Sequence, residues 1–140
     1  MKTQLGWLDT NIFIHSLFPA DSHYARCQAI LQALDDDAAE GWLDVIVLHE
    51  LSYNLLRMRL SADRHEAAEY MRGILRHNNI MADEKPAMLD AMDRWVNRRV
   101  GFADAWLAAL AERRSLPICS VNERDYPTAL DNTFRTADLA

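Results

Sequence analysis

The stretch LGWLDTNIFIH, residues 5–15, decides the fold class of this chain. Residues 5–8 form a short apolar run, which predicts a buried β-strand. The run ends at Asp9, and the residues from Thr10 onward predict a first helix, which Pro19 ends. A short strand that presents a carboxylate at its carboxyl end and passes directly into a helix is typical of an α/β protein.

The same alternation of short apolar runs and helical patterns continues along the chain. Further strands are predicted at residues 42–45, 80–82 and 116–120, with Phe134 as a candidate for a last strand. Helical patterns lie between these runs, and a parallel sheet covered by helices on both faces follows from this order. We therefore predict a single α/β domain over residues 1–140, with three α/β/α layers around a central parallel sheet.

The helix after the second predicted strand carries both apolar and polar residues. Glu50 and Tyr53 lie on this helix. Helical spacing predicts that its apolar residues share the side facing the core. These residues are Ile46, Leu48, Leu51, Leu55, Leu56 and Met58.

Composition excludes several classes of function. The chain has 140 residues and a formal net charge of −6, which argues against wholesale electrostatic binding of DNA. Its two cysteines make neither a disulfide framework nor a zinc cluster. We find no apolar stretch of membrane-spanning length and no secretory leader, so the expected location is the cytoplasm, with no membrane partner.

Acidic and amide side chains recur where the predicted strands end. Sites in parallel sheets form at the carboxyl ends of the strands, and carboxylates in apolar surroundings are costly unless they are paired or bind a metal. Taken singly, each residue has a structural alternative, such as a helix cap, a turn or an ion pair of Glu50 with Arg57 or Arg124. Together they favour a metal site. The candidates are Asp9, Glu50, Asp104, Asn122 and Asp125.

Oxygen ligands select Mg²⁺ or Mn²⁺ over zinc, and no His or Cys pair has the spacing of zinc ligands. His15 and His49 lie near the candidate acids, but we interpret both as structural or surface residues. Carboxylate-bound Mg²⁺ usually acts on phosphates, and this chemistry requires no protein nucleophile. The acids therefore predict metal-dependent chemistry on a phosphate group.

Four blocks in this order resemble the PIN-domain family, and more narrowly the VapC-type toxins of bacterial toxin–antitoxin pairs. The blocks are LDTNIFIH (8–15), HELSYNLLR (49–57), FADAWLAALAERRSLPICS (102–120) and NERDY (122–126). The resemblance covers nearly the whole chain. It implies a three-layer α/β/α fold with an acidic Mg²⁺ or Mn²⁺ site that cleaves RNA, a small antitoxin partner and a homodimer.

The resemblance also implies roles for individual residues. Asp9, Glu50 and Asp104 match the family's three central acids, of which Asp9 and Asp104 would bind the metal directly. Asn122 stands where the family usually has a fourth acid, and Asp125 follows it in the same loop. The polar positions that would orient ligands or water are Thr10, Asn11 and Ser120.

Three other functions are open at this point. One is a housekeeping PIN-domain nuclease that processes RNA. Another is phosphoryl transfer through an aspartyl-phosphate at Asp9, in which Lys85 would lie near the phosphate. Such sites usually have a second Asp two residues after the first, where this chain has Asn11. The third is a non-catalytic, metal-binding interaction module whose acids are structural.

Overall fold

The computed structural model describes residues 1–120 of the chain. These residues belong to two compact units, the first from Met1 to Asp83 and the second beginning at Glu84. The first unit contains β1 (Thr3–Trp7), α1 (Thr10–His15), α2 (Tyr24–Asp35), β2 (Ala39–Trp42), α3 (Val45–Arg57), α4 (Arg64–Leu75) and β3 (Ile80–Met81). The described part of the second unit contains α5 (Lys85–Asn97) and α6 (Phe102–Arg114).

The three strands of the first unit form a parallel sheet in the order β1-β2-β3. Thr3 is opposite Ala39 and Trp7 is opposite Trp42, with a register shift between these pairs. Gly6 lies within the shifted stretch at φ +73°, a backbone conformation that residues other than glycine rarely adopt. Because the strands are parallel, their carboxyl ends lie at one edge of the sheet. The α/β class with a parallel sheet is therefore confirmed.

The strand boundaries differ from the predicted ones. The second strand ends at Trp42, where the sequence predicted that it would begin, because Asp44 caps α3 by accepting a hydrogen bond from the Ile46 N–H at 2.9 Å. Only an isolated bridge at Ile118 represents the strand predicted at 116–120 among the described residues. The candidate strand at Phe134 lies outside them.

Helix α3 separates a core face from a solvent face. Leu48, Leu51 and Leu55 are almost fully buried, as predicted. Ile46 and Met58 were predicted to share this face, but both are exposed. The capping bond at Asp44 begins the helix in a phase that buries the leucines and turns Ile46 toward solvent.

In the second unit, α5 and α6 pack against each other around small and aromatic side chains. The Trp95 and Phe102 rings meet edge to face, with their centroids 6.3 Å apart. Arg94 is only 7% exposed and donates to the carboxylates of Asp90 and Glu112 at 3.0 and 2.5 Å. Burial lowers the pKa of Arg94, but these two hydrogen bonds outweigh the effect and raise it overall. This arginine thus stays charged and ties the two helices together.

A substitution at Gly41, in the central strand, tests how closely β2 packs against Leu8, the residue before Asp9. A Cβ at Gly41 would lie 2.9 Å from Leu8 Cγ, and Leu8 is buried, so its side chain has little room to move. We expect Gly41→Ala to lower the free energy of unfolding by about 1–3 kcal/mol in urea denaturation.

Gly73→Ala is the matched control for this substitution. Gly73 lies inside α4, and nothing within 4 Å would meet its Cβ. Alanine there should raise stability by up to about 1 kcal/mol, because glycine is a poor helix former. Equal stability of the Gly41→Ala variant and the wild type would contradict the close packing of Leu8 on β2.

Candidate active site

Asp9 lies at the turn from β1 into α1. Its backbone is extended (φ −83°, ψ 154°), as is typical of the residue before the first turn of a helix. Its Oδ1 accepts a hydrogen bond from the Thr10 N–H at 2.9 Å. Asp9 therefore caps α1, and this was the structural alternative considered for this residue. The cap also fixes the carboxylate at the carboxyl end of β1.

A hydrogen bond joins this turn to α3. The Thr10 hydroxyl donates to Glu50 Oε2 at 2.7 Å. Thr10 is 3% exposed, so its side chain is held in place by its surroundings, whereas Glu50 is exposed on the helix surface. The structure thus brings two candidate acids that are distant in sequence, Asp9 and Glu50, to the two sides of one threonine.

The environment of these carboxylates differs from the expected one. Asp9 and Glu50 were predicted in apolar surroundings, but both are exposed. Across residues 1–120, neither carboxylate forms an ion pair with Lys, Arg or His. Arg57, a possible partner of Glu50, lies instead over the Tyr53 ring. The two carboxylates are consequently accessible and available to an external cation.

Asp104 belongs to the second unit and lies in the first turn of α6. A Cβ at Gly101 would lie 3.7 Å from Asp104 Oδ2, so this carboxylate lies beside the amino end of its helix. The helix dipole favours a negative charge there. Asp104 is half-buried and has further interactions of its own.

The remaining candidates are distributed more widely. Asn11 is exposed on α1, and Ser120 is half-buried at the end of the described chain. Asn122 and Asp125 lie outside the described residues. Over residues 1–120, no three His, Cys, Asp or Glu side chains are grouped as a metal site would require. What the described chain assembles is a pair of carboxylates at the edge of the sheet.

His15 interacts with a residue other than the carboxylate pair of Asp9 and Glu50. Its Nδ1 lies 2.7 Å from Asp21 Oδ2, and the His23 N–H donates to Asp21 Oδ1 at the same distance. The hydrogen bond from the His23 backbone, followed by that with the His15 ring, lowers the pKa of Asp21. These contacts order the loop between α1 and α2, which agrees with the interpretation of His15 as a structural residue.

Three exposed side chains near the carboxylates were not among the predicted site residues. Tyr53 and Arg57 follow Glu50 on α3, and Trp7 ends β1 two residues before Asp9. Apolar periodicity cannot distinguish an exposed aromatic residue from a buried one. The helical positions of Tyr53 and Arg57 relative to Glu50 were the available signal, since residues three and four apart share a helix face.

Comparison with protein families identifies the class of the protein. The PIN domain family model matches residues 7–128, and the chain belongs to this family. The predicted three-layer α/β/α fold class is thereby confirmed. PIN domains are typically metal-dependent nucleases that use divalent ions and act on RNA. No curated protein and no solved structure matched the chain.

Across residues 1–120, every helix is too short or too polar to cross a bilayer.

The bond between Thr10 and Glu50 can be tested by removing a single hydroxyl. We expect Thr10→Val to lower the free energy of unfolding by roughly 1–3 kcal/mol, because a hydrogen bond from a buried hydroxyl to a charged group is lost at nearly constant volume. Thr10→Ser, which keeps the hydroxyl, should retain more of the stability. Thermal unfolding of both variants measures the effect. A valine variant as stable as the wild type would mean that this bond does not hold α3 to the strand end.

Proposed function

We propose that this chain is a Mg²⁺- or Mn²⁺-dependent endoribonuclease, the toxin of a toxin–antitoxin pair. The observation that carries the proposal is the pair of exposed carboxylates, Asp9 and Glu50, joined through Thr10 in a chain of the PIN domain family. Exposed carboxylates without an internal cation suit a site that takes its cation from solvent.

The donor atoms fit a small, hard cation. Asp9 and Glu50 offer carboxylate oxygens, and no sulfur or imidazole ligand is needed beside them. A divalent ion bound here would lower the pKa of a water molecule and polarise a phosphoryl oxygen of RNA. We assign Asp9 and Asp104 as its direct ligands, the latter from its match to the family pattern.

The remaining residues would orient the reactants. Glu50 holds the attacking water, and the Thr10 hydroxyl fixes the carboxylate that does so. Asn122 and Asp125 would lie around the direct ligands or hold a second, weaker ion, as their place in the closing NERDY block suggests. Asn11 and Ser120 would hydrogen-bond to ligands or water. Each of these assignments rests on residue type and position in the family pattern.

The toxin role rests on the resemblance of the four sequence blocks to VapC-type proteins. That resemblance supports a small antitoxin and a homodimer as protein partners, and a cytoplasmic site of action. A housekeeping role in RNA processing would use the same chemistry, so only the biological consequence of cleavage separates the two.

Asp9→Asn tests the site directly. The substitution keeps the shape and the helix cap but removes the charge, and we expect cleavage of total RNA in Mg²⁺ or Mn²⁺ to fall on the order of 100-fold or more. Chelation with EDTA should abolish cleavage by the wild type. Asp104→Asn should reproduce the loss.

Asp63→Asn is the matched control. Asp63 also caps a helix, since its carboxylate accepts a hydrogen bond from the Glu66 N–H at 2.9 Å, and it is exposed. It lies between α3 and α4 and follows no strand, so it does not belong to the carboxyl ends of the sheet. Its asparagine variant should cleave RNA like the wild type. Full activity of Asp9→Asn, or equal loss in Asp63→Asn, would exclude the assignment.

The toxin role is tested by expression in a bacterial host. Induction of the wild type should arrest growth, and induction of Asp9→Asn at the same protein level should not, because the arrest depends on cleavage. Unchanged growth with an enzyme that cleaves RNA in vitro would favour the housekeeping function instead.

A further inference from the structure

The solvent face of α3 carries an ordered stripe of side chains around Glu50. Ile46, Glu50, Tyr53 and Arg57 follow one another at intervals of four, three and four residues, which places them on one side of the helix. Tyr53 is 65% exposed and Ile46 is 53% exposed. A large aromatic ring therefore stands in solvent one turn from a proposed catalytic carboxylate.

Arg57 holds a defined position against this ring. Its guanidinium carbon lies 5.6 Å from the centroid of the Tyr53 ring, within the range of a cation–π contact. The contact keeps a positive charge beside the exposed ring, although the chain as a whole is acidic. It also explains why Arg57 does not neutralise Glu50.

A second exposed aromatic residue lies on the strand that carries Asp9. Trp7 is 67% exposed, and its ring lies 6.0 Å from that of Trp42 at an angle of 56°. An exposed aromatic ring offers a face on which a base can stack. Trp7 precedes Asp9 by two residues, and Tyr53 follows Glu50 by three.

We propose that Tyr53 and Arg57 form a stacking platform for an unpaired base of the RNA next to the bond that is cut. The base stacks on the exposed ring, and the guanidinium lies against a flanking phosphate. Proteins that bind single strands combine these two elements, an aromatic surface and a cation for the backbone. The inference rests on the proposed function, since it assigns the substrate of that site an unpaired segment.

The chemistry of the stripe favours RNA over a protein partner. A docking helix or a second copy of the chain would bury the middle of this stripe, and the cores of protein interfaces are depleted in acidic side chains. On α3 the carboxylate of Glu50 interrupts the apolar residues between Ile46 and Tyr53. A stacked nucleotide needs only one ring and one cation.

Binding of a short, unstructured, fluorescently labelled RNA to the purified full chain tests the platform. EDTA prevents hydrolysis during the titration. We expect Tyr53→Ala to weaken binding about 10-fold, the usual size of a lost base–aromatic stack, and Tyr53→Phe to bind like the wild type. Arg57→Gln should weaken binding and reduce its dependence on salt. The same RNA in a duplex should show no dependence on Tyr53.

Ile46→Ala is the control on the same stripe. It removes exposed apolar area without removing a ring, so RNA binding should change less than twofold. Binding of Tyr53→Ala equal to that of the wild type overturns the platform, as does a wild type that binds no single-stranded RNA. An equal loss in Ile46→Ala and Tyr53→Ala, with a change in oligomeric state, overturns it in favour of a protein interface.

The cleavage assay separates this inference from the proposed function. If the wild type hydrolyses RNA while RNA binding does not depend on Tyr53, the stacking platform is excluded and the proposed nuclease function is supported. If binding depends on Tyr53 while no divalent ion supports hydrolysis, the platform stands and the nuclease fails.

Discussion

The hydrogen bond from the buried Thr10 hydroxyl to Glu50 is the contact on which the candidate site depends. It works because Thr10 is fixed twice, by its place in the first turn of α1 and by its burial. A long, exposed glutamate side chain is otherwise free to adopt many rotamers, and ordering it costs conformational entropy. One short bond from a rigid donor reduces that freedom and holds the carboxylate beside Asp9.

Local patterns predicted much of the fold and erred where one side chain outweighed them. The first strand, α1 and α6 occur close to where the sequence placed them, since apolar runs and breaking residues mark them clearly. The prediction that the first strand is buried was wrong, because most of β1 is exposed. The predicted position of the second strand was too late in the sequence because residues 42–45 are mostly apolar. Asp44, which lies among them, instead starts α3. A cap of this kind is a contact between one side chain and one backbone N–H, which periodicity does not detect.

The sequence predicted the positions of the candidate carboxylates in the fold better than it predicted their exposure. Parallel strands bring their carboxyl ends to one edge, so the position of Asp9 followed from the order of the elements. The expectation of apolar surroundings was wrong for Asp9 and Glu50, because Asp9 lies beyond the end of a strand and Glu50 lies on the solvent face of α3. Exposure agrees better with a site that exchanges a cation and a substrate with solvent.

The acidic character of the chain constrains how it can hold RNA. A net charge of −6 opposes a polyanion, so little binding energy is available from the counterion release that dominates basic nucleic-acid binders. Under the proposed function, two contributions would not depend on net charge: a cation bound by the carboxylates, and stacking on exposed rings. Stacking requires a base that is free of its own partner. The proposed nuclease, with an exposed tyrosine one turn from Glu50, would therefore be suited to unpaired RNA, and its selectivity would come from RNA shape more than from charge.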